Sequence, residues 1–317
     1  MDRKHSPSDS QPNERPSKKK RITESEQQSM LRIFIEKARN IMASTFSGHH
    51  MTQKEERVFR EFFGCGLLTV SKLWMLLLSF GFLNENEDPA YLLWALMFMK
   101  MYGTESDMST RAGVNPNTFR DWSWSLINSI SDLEAEVIIF EHRKKIDKGN
   151  DCLMSVDSTD CRIPQHGRTF ASHKFKGKSG LRYEVGIGIL SGDIVWVHGP
   201  FPCGAWPDIN IFRDSLLSYL EEAERTEADD GYIGESPAHV KCPKNFSNPP
   251  ENLAMQSRVR SRQETVNKRL KQWKCLSEMY RHDLLRHGDV FRAVAVITQL
   301  EIENGHPLFE VEYDDKS

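Results

Sequence analysis

The sequence predicts an α/β protein in two parts, an all-helical region followed by a domain that mixes strands with helices. Three observations carry this. Between residues 29 and 148 apolar side chains recur at helical spacing and never alternate with period two. From Cys152 onward three β-rich runs follow one another, and the last two are separated by the turn pair Ser191-Gly192. Beyond them extended and helical stretches interleave, the pattern of a sheet covered by helices.

The elements can be justified in order. Residues 1–28 hold Ser, Pro, Gln, Asn and charge with almost nothing to bury, and read as a disordered basic tail. Within it RPSKKKR (15–21) has the make-up of a nuclear localisation signal or of a solvated charge run. LRIFIEKARNIMASTF, EERVFREFFGCGLLTVSKLWMLLLSFGF and PAYLLWALMFMKMYG follow as helices. The apolar run at 67–83 is interrupted by Lys72 and broken by Gly81, so it reads as a buried helix and not as a membrane span. In DMSTRAGVNPNTFRDWSWSLINSISDL a short helix at 108–112 meets Gly113, a residue suited to φ > 0. Asn115-Pro116 then caps a second helix with Phe119, Trp122, Leu126 and Ile130 on one stripe. This is the helix-turn-helix pattern, with Asn117, Arg120 and Asp121 on the exposed face of the second helix, where DNA contacts would lie. Any two-helix corner of an α-domain shares that pattern.

The second part opens with strands at 153–163, 180–192 and 193–201. INIFRDSLLSYLEEAE (209–224) is expected as one helix with Ile211, Phe212, Leu216 and Leu220 inward, and RTEADDGYIG supplies a fourth, short strand. The Pro-rich stretch 233–254 reads as a loop, and QSRVRSRQETVNKRLKQWKCL as a long basic helix. No internal repeat is found.

Composition bounds the function. The chain has 317 residues, 38% hydrophobic and 27% charged, which suits a soluble globular protein large enough for a sizeable core. A net charge of -3 means that nucleic-acid binding would have to come from local basic patches. The six cysteines form no C-x-x-C pair, which argues against a zinc ribbon, and with no apolar leader they fit a reducing intracellular compartment.

Four acids stand at the ends of the predicted elements: Asp157 in the first strand, Asp208 ahead of a helix, Asp229 (next to Asp230) after the fourth strand, and Glu264 on the basic helix. An Asp inside a strand is costly unless its charge is compensated. If the strands are neighbours, the acids converge and repel, and a divalent cation relieves the repulsion. Oxygen ligands suit Mg²⁺ or Mn²⁺. Two such ions about 3.5–4 Å apart can activate water and stabilise the leaving oxygen in phosphodiester cleavage.

The ordered set VDSTD, GPFPCGAWPDINIF, ADDGY and RQETVNKRLK resembles the DDE-superfamily endonucleases, and within them the Harbinger-type, IS5-related transposases. The resemblance spans residues 156–309 and extends to the helical region ahead of them, where that family has a helix-turn-helix. It implies an RNase H-like fold for 149–317 and a helix-turn-helix DNA-binding region at 29–148. It also implies that Asp157, Asp229 and Glu264 form the catalytic, metal-binding triad, with Asp208 as a further metal ligand. The chain departs from the family in having Ser158 after the first Asp and Asp229-Asp230-Gly231-Tyr232 where the family has one Asp, with Asp229 favoured as the ligand.

Plainer roles exist for each acid. Asp157 and Asp160 can cap turns, Asp208 can cap a helix, and Glu264 can pair with neighbouring cations on its own helix. Arg258, Arg260, Arg262, Lys268, Arg269, Lys271 and Lys274 crowd 17 residues, with Arg162, Arg168, Lys174, Lys176, Lys178 and Arg182 around the first two strands. Of these, Arg258, Arg260, Arg262, Lys268 and Lys271 are the expected DNA contacts on the long helix, binding phosphates in a salt-sensitive manner. The expectation is a nuclear, metal-dependent endonuclease or transposase whose partner is DNA and not a membrane. Assembly into a homo-oligomer and help from a separate DNA-binding protein stay open. The rival is a non-catalytic DNA-binding protein descended from such an enzyme.

Overall fold

The computed structural model describes residues 24–42, 51–146, 148–245 and 250–314. The basic motif at 15–21 lies outside them. The expected tail ends earlier than 28, because α1 (Glu24–Met42) already includes residues 24–28.

Six further helices follow. α2 (Gln53–Phe63) opens on a capping box: the Thr52 hydroxyl accepts from the Glu55 amide at 3.3 Å, and the Glu55 carboxylate accepts from the Thr52 amide at 2.6 Å. α3 (Leu67–Ser79) and α4 (Ala90–Met101) are the apolar helices, and α4 is buried almost all round. No single described helix is long and apolar enough to cross a membrane. α5 (Glu105–Ala112) stops at Gly113, whose φ of 70° is the left-handed conformation expected there. α6 (Pro116–Asp132) starts one residue later than its cap, Asn115, whose side chain accepts from the Asn117 amide at 2.9 Å. α7 (Glu134–Val137) ends the series.

The sheet is mixed and five-stranded. β1 (Cys152–Arg162), β2 (Gly180–Gly188) and β3 (Ile194–Pro202) run antiparallel, each to the next. After α8 (Asp208–Asp214), β4 (Arg225–Glu227) returns parallel to β1, and β5 (Val240–Lys241) pairs parallel to β4, giving the order β3-β2-β1-β4-β5. α9 (Pro250–Lys271), α10 (Lys274–Ser277) and α11 (His287–Glu303) complete the chain. Two expectations are corrected. The predicted helix 209–224 breaks at Ser215, which has φ −141° and ψ −69°, and only a 3-10 turn at Leu216–Tyr219 follows. The stretch 233–254, predicted as a loop, contains β5 and the first turn of α9, whose Pro250 occupies a first-turn position where a missing N–H costs nothing. Residues 246–249 of that stretch lie outside the described residues.

The sheet has two buried faces. On one, Met154, Val156 and Val195 pack on Phe212, Leu216 and Tyr232. On the other, Cys161, Val185 and Ile187 meet α9 and α11, and that cluster continues without a break into Phe98, Phe119 and Ile130 of the helical region. α11 is the shared pillar. Phe291 stacks on Tyr183 of β2 at 3.8 Å between ring centroids, and the buried His287 ring makes a 2.6 Å hydrogen bond with the Tyr183 hydroxyl. The change of element type near residue 148 is therefore crossed by one core.

Candidate functional site: an acidic cavity at the ends of two parallel strands

The pairing of β1 with β4 builds the site. Ser155 stands opposite Glu227 in their register. Two residues on from each come Asp157, on the same face of β1 as Ser155 by alternation, and Asp229, just past the end of β4. That face meets α9: the Ser155 hydroxyl donates to Gln263 at 2.8 Å and the Asn267 amide donates to Asp157 at 2.9 Å. A cavity of about 120 Å³ opens between them, bordered by Asp157, Glu227, Asp229, Arg260, Gln263 and Glu264. Four acidic residues and one arginine thus border it.

Asp157 is held at both oxygens, by the Ser158 amide at 2.7 Å on one and by Asn267 on the other. Burial, with the charges of Asp229 and Asp208 adding to it and Lys174 and the Ser158 amide opposing, pushes its carboxyl up to about 6. Asp229 accepts from the Gly231 amide at 2.8 Å and so caps the 3-10 turn Asp230–Glu235. Asp230 instead pairs with Lys244 at 3.0 Å. Of the two neighbouring acids, Asp229 is the one that borders the cavity.

The other two predicted ligands sit differently. The Glu264 side chain is 69% exposed and its nearest cation is Lys268, one helical turn on, at 3.9 Å. It borders the cavity but its carboxylate leans to solvent. Asp208 lies at the first position of α8 and makes no capping bond, so the helix-cap role does not hold. Its carboxylate is drawn to Arg182 at 2.9 Å, and it does not border the cavity. It stays close to Asp229: an oxygen of each lies within 3.0 Å of the point where a Gly231 side chain would begin. That crowding explains why glycine follows the acid pair. Among the described residues no group of three or more His, Cys, Asp or Glu side chains is close enough to hold a metal ion as it stands.

Asp160 answers to a different partner. Arg182 grips it with two nitrogens at 2.8 and 3.1 Å and the Ser172 hydroxyl donates to it at 2.5 Å; burial raises its carboxyl, but these hydrogen bonds and the charges of Arg182 and Lys174 together outweigh burial and hold it below the usual range. It is a structural acid, not a turn cap.

Three site residues escaped the sequence reading. Glu227 precedes Asp229 with strand spacing, a signal the sequence did carry; burial raises its carboxyl, against a hydrogen bond donated by Tyr313. Asn267 lies one turn beyond Glu264, and nothing in a lone Asn marks it. Glu184 on β2 is fully buried, opposite Ser158, and accepts from the Trp196 indole at 3.1 Å and the Tyr232 hydroxyl at 3.3 Å. Burial pushes it up to about 8.

The basic residues divide. Arg262 is corrected: it is buried and donates to the backbone carbonyls of Ile189 and Phe309, so it is part of the core and no DNA contact. Lys271 is corrected for the same reason, since its ammonium is bonded to the carbonyls of Asp160 at 2.6 Å and Leu276 at 3.1 Å. Arg258 and Lys268 are exposed, and Arg260 borders the cavity with one buried guanidinium nitrogen lacking a partner. Arg168, Lys174, Lys176 and Lys178 project from the exposed loop between β1 and β2. On α6, Asn117 and Arg120 are exposed as expected, but Arg120 is bonded to Glu105 at 2.6 Å and to Asn117 at 3.2 Å.

No family model, no curated protein and no solved structure matches this chain.

Proposed function

We propose that the chain is a metal-dependent DNA endonuclease of the DDE superfamily, of the Harbinger-type transposase kind, built on an RNase H-like sheet. The observation that carries this reading is the parallel pairing of β1 with β4, beside which Asp157 and Asp229 border one cavity together with Glu264. Three antiparallel strands followed by two parallel ones, with the first and fourth adjacent at the centre, support the RNase H-like assignment.

The residues fit a divalent cation. Carboxylate oxygens are the donors Mg²⁺ and Mn²⁺ take, and such an ion would offset the burial that raises Asp157 and the charges of Asp229 and Asp208 that add to it. Asp157 and Asp229 would hold it, Glu264 would complete the set by turning from Lys268, and Asp208 would assist from beside Asp229 once released from Arg182. The bound ion supplies activation of the attacking water and stabilisation of the leaving oxygen. The chain supplies the rest. Arg260, with an unpartnered buried nitrogen at the cavity, receives a phosphate oxygen. Arg258, Lys268 and the basic loop 164–178 position the DNA backbone without reading bases. α5 and α6 give the helix-turn-helix, where Asn117 and Arg120 face the groove once Glu105 yields to DNA.

The test is nicking of a supercoiled plasmid carrying the sequences that flank the coding region, with Mg²⁺ or Mn²⁺. Nicking by the wild type, none by Asp157→Asn, and equal DNA binding by both is expected. The exposed Glu264–Lys268 pair favours one second reading, a transposase-derived DNA-binding protein that no longer cleaves. That reading expects salt-sensitive binding with no nicking in either metal.

A further inference from the structure

We infer that Asn267 is a positioning residue of the acidic cavity, which orients Asp157 and locks α9 against β1 so that a divalent cation can be held; this rests on the metal-site reading above. Its side-chain amide donates to the Asp157 Oδ2 at 2.9 Å, while the Ser158 amide donates to Oδ1 at 2.7 Å. Each carboxylate oxygen has two lone pairs. One donor on each fixes the plane of the group and leaves a free lone pair on each oxygen. A carboxylate so held is prepared for a cation, and an unheld one is free to turn toward Lys174, whose charge acts on it.

The bonding of Asn267 is lopsided. Its other polar atom, Oδ1, is buried with no partner. An Asn kept only for packing has no reason to sit there, since burying an unpaired acceptor is unfavourable and an apolar side chain of the same shape avoids it. The one interaction it makes is with the acid at the centre of the site. The amide cannot be reversed, because an ionised carboxylate accepts hydrogen bonds only. Position on the helix adds a second consequence. Asn267 is one turn from Glu264 and two from Arg260, so the three share a side of α9. The bond to β1 therefore sets where Glu264 and Arg260 stand relative to Asp157. Partners of this kind around a metal site cost about 10–100-fold in metal affinity when removed.

The experiment is an equilibrium Mn²⁺ titration of the full chain without DNA, read by the loss of free-ion paramagnetic resonance signal, alongside thermal melting with and without Mn²⁺. Asn267→Leu keeps the shape and deletes both polar atoms; Asn267→Ala is the second variant. Expected is Mn²⁺ binding weakened about 10–100-fold in both, and a smaller Mn²⁺-induced rise in Tm, with both variants still unfolding cooperatively without metal. Wild-type Mn²⁺ affinity in the variants overturns the inference and leaves the metal site standing. Absence of Mn²⁺ binding by the wild type overturns the site reading itself and this inference with it.

Discussion

Asp157 and Asp160 stand three residues apart on β1, on opposite faces of the sheet. Asp160 is neutralised by Arg182 inside the fold. Asp157 is buried among other acids with two neutral donors. Asp160 is ion-paired with Arg182, while Asp157 feels the charge of Lys174 but, among the described residues, makes no ion pair, which is why Asp157 is the one that points to an outside cation. Replacing it with Asn should lower cleavage by more than about 100-fold, since a ligand matters more than the groups around it, with DNA affinity by gel shift unchanged. Glu184 makes a separate claim on stability. Its carboxyl is raised to about 8, against about 4.3 in an unfolded chain. Between those values the folded state holds a proton that the unfolded state has lost, so stability falls as pH rises, by up to about 1.4 kcal/mol per pH unit. Denaturant unfolding from pH 5 to 8 should show that fall in the wild type and a flatter profile in Glu184→Gln; an identical slope in both would remove Glu184 as its source.

At the scale of the element, α9 carries two kinds of cation. Arg262 is buried on backbone carbonyls and Arg258, four residues earlier, is exposed. Arg262→Ala should destabilise the fold by about 3 kcal/mol, because it leaves carbonyls without donors and a hole behind. Arg258→Ala should change stability by less than about 0.5 kcal/mol and lower the slope of log binding constant against log salt by about 1. Denaturant melts and salt titrations of binding separate the two. The sequence could not sort these residues. A run of Arg and Lys has the same appearance whether it faces solvent or reaches carbonyls on a segment 47 residues away, as Arg262 does at Phe309. The corner between α5 and α6 was legible because its determinants are local: Gly113 takes φ 70° and Asn115 caps α6. β5 was not, because two residues paired only through β4 leave no periodic signal. The acids Asp157 and Asp229 were legible as a pair only through the order of elements; the register that brings them to one cavity, Ser155 opposite Glu227, is a property of the folded sheet.

At the scale of the whole molecule, α11 joins the helical region to the sheet through one core. The domain boundary expected near 148 follows a change in sequence texture, and packing ignores that change. Phe291 of α11 belongs to that core and stacks on Tyr183 of the sheet. Phe291→Ala should cost about 3–5 kcal/mol, and its melt should lower the signals of helix and sheet together; two separate transitions would argue for two independent units. The same continuity ties α5 and α6 to the acidic cavity, so under the proposed function DNA held by one would be presented to the other at a fixed angle. The proposed function turns on the cavity between β1, β4 and α9. Crystals soaked in Mn²⁺ and measured for anomalous scattering test it most directly. Expected is a peak at about 2.0–2.4 Å from carboxylate oxygens of both Asp157 and Asp229, with Glu264 swung in from Lys268. A saturating soak with no peak between those two aspartates, and Glu264 still on Lys268, would contradict it.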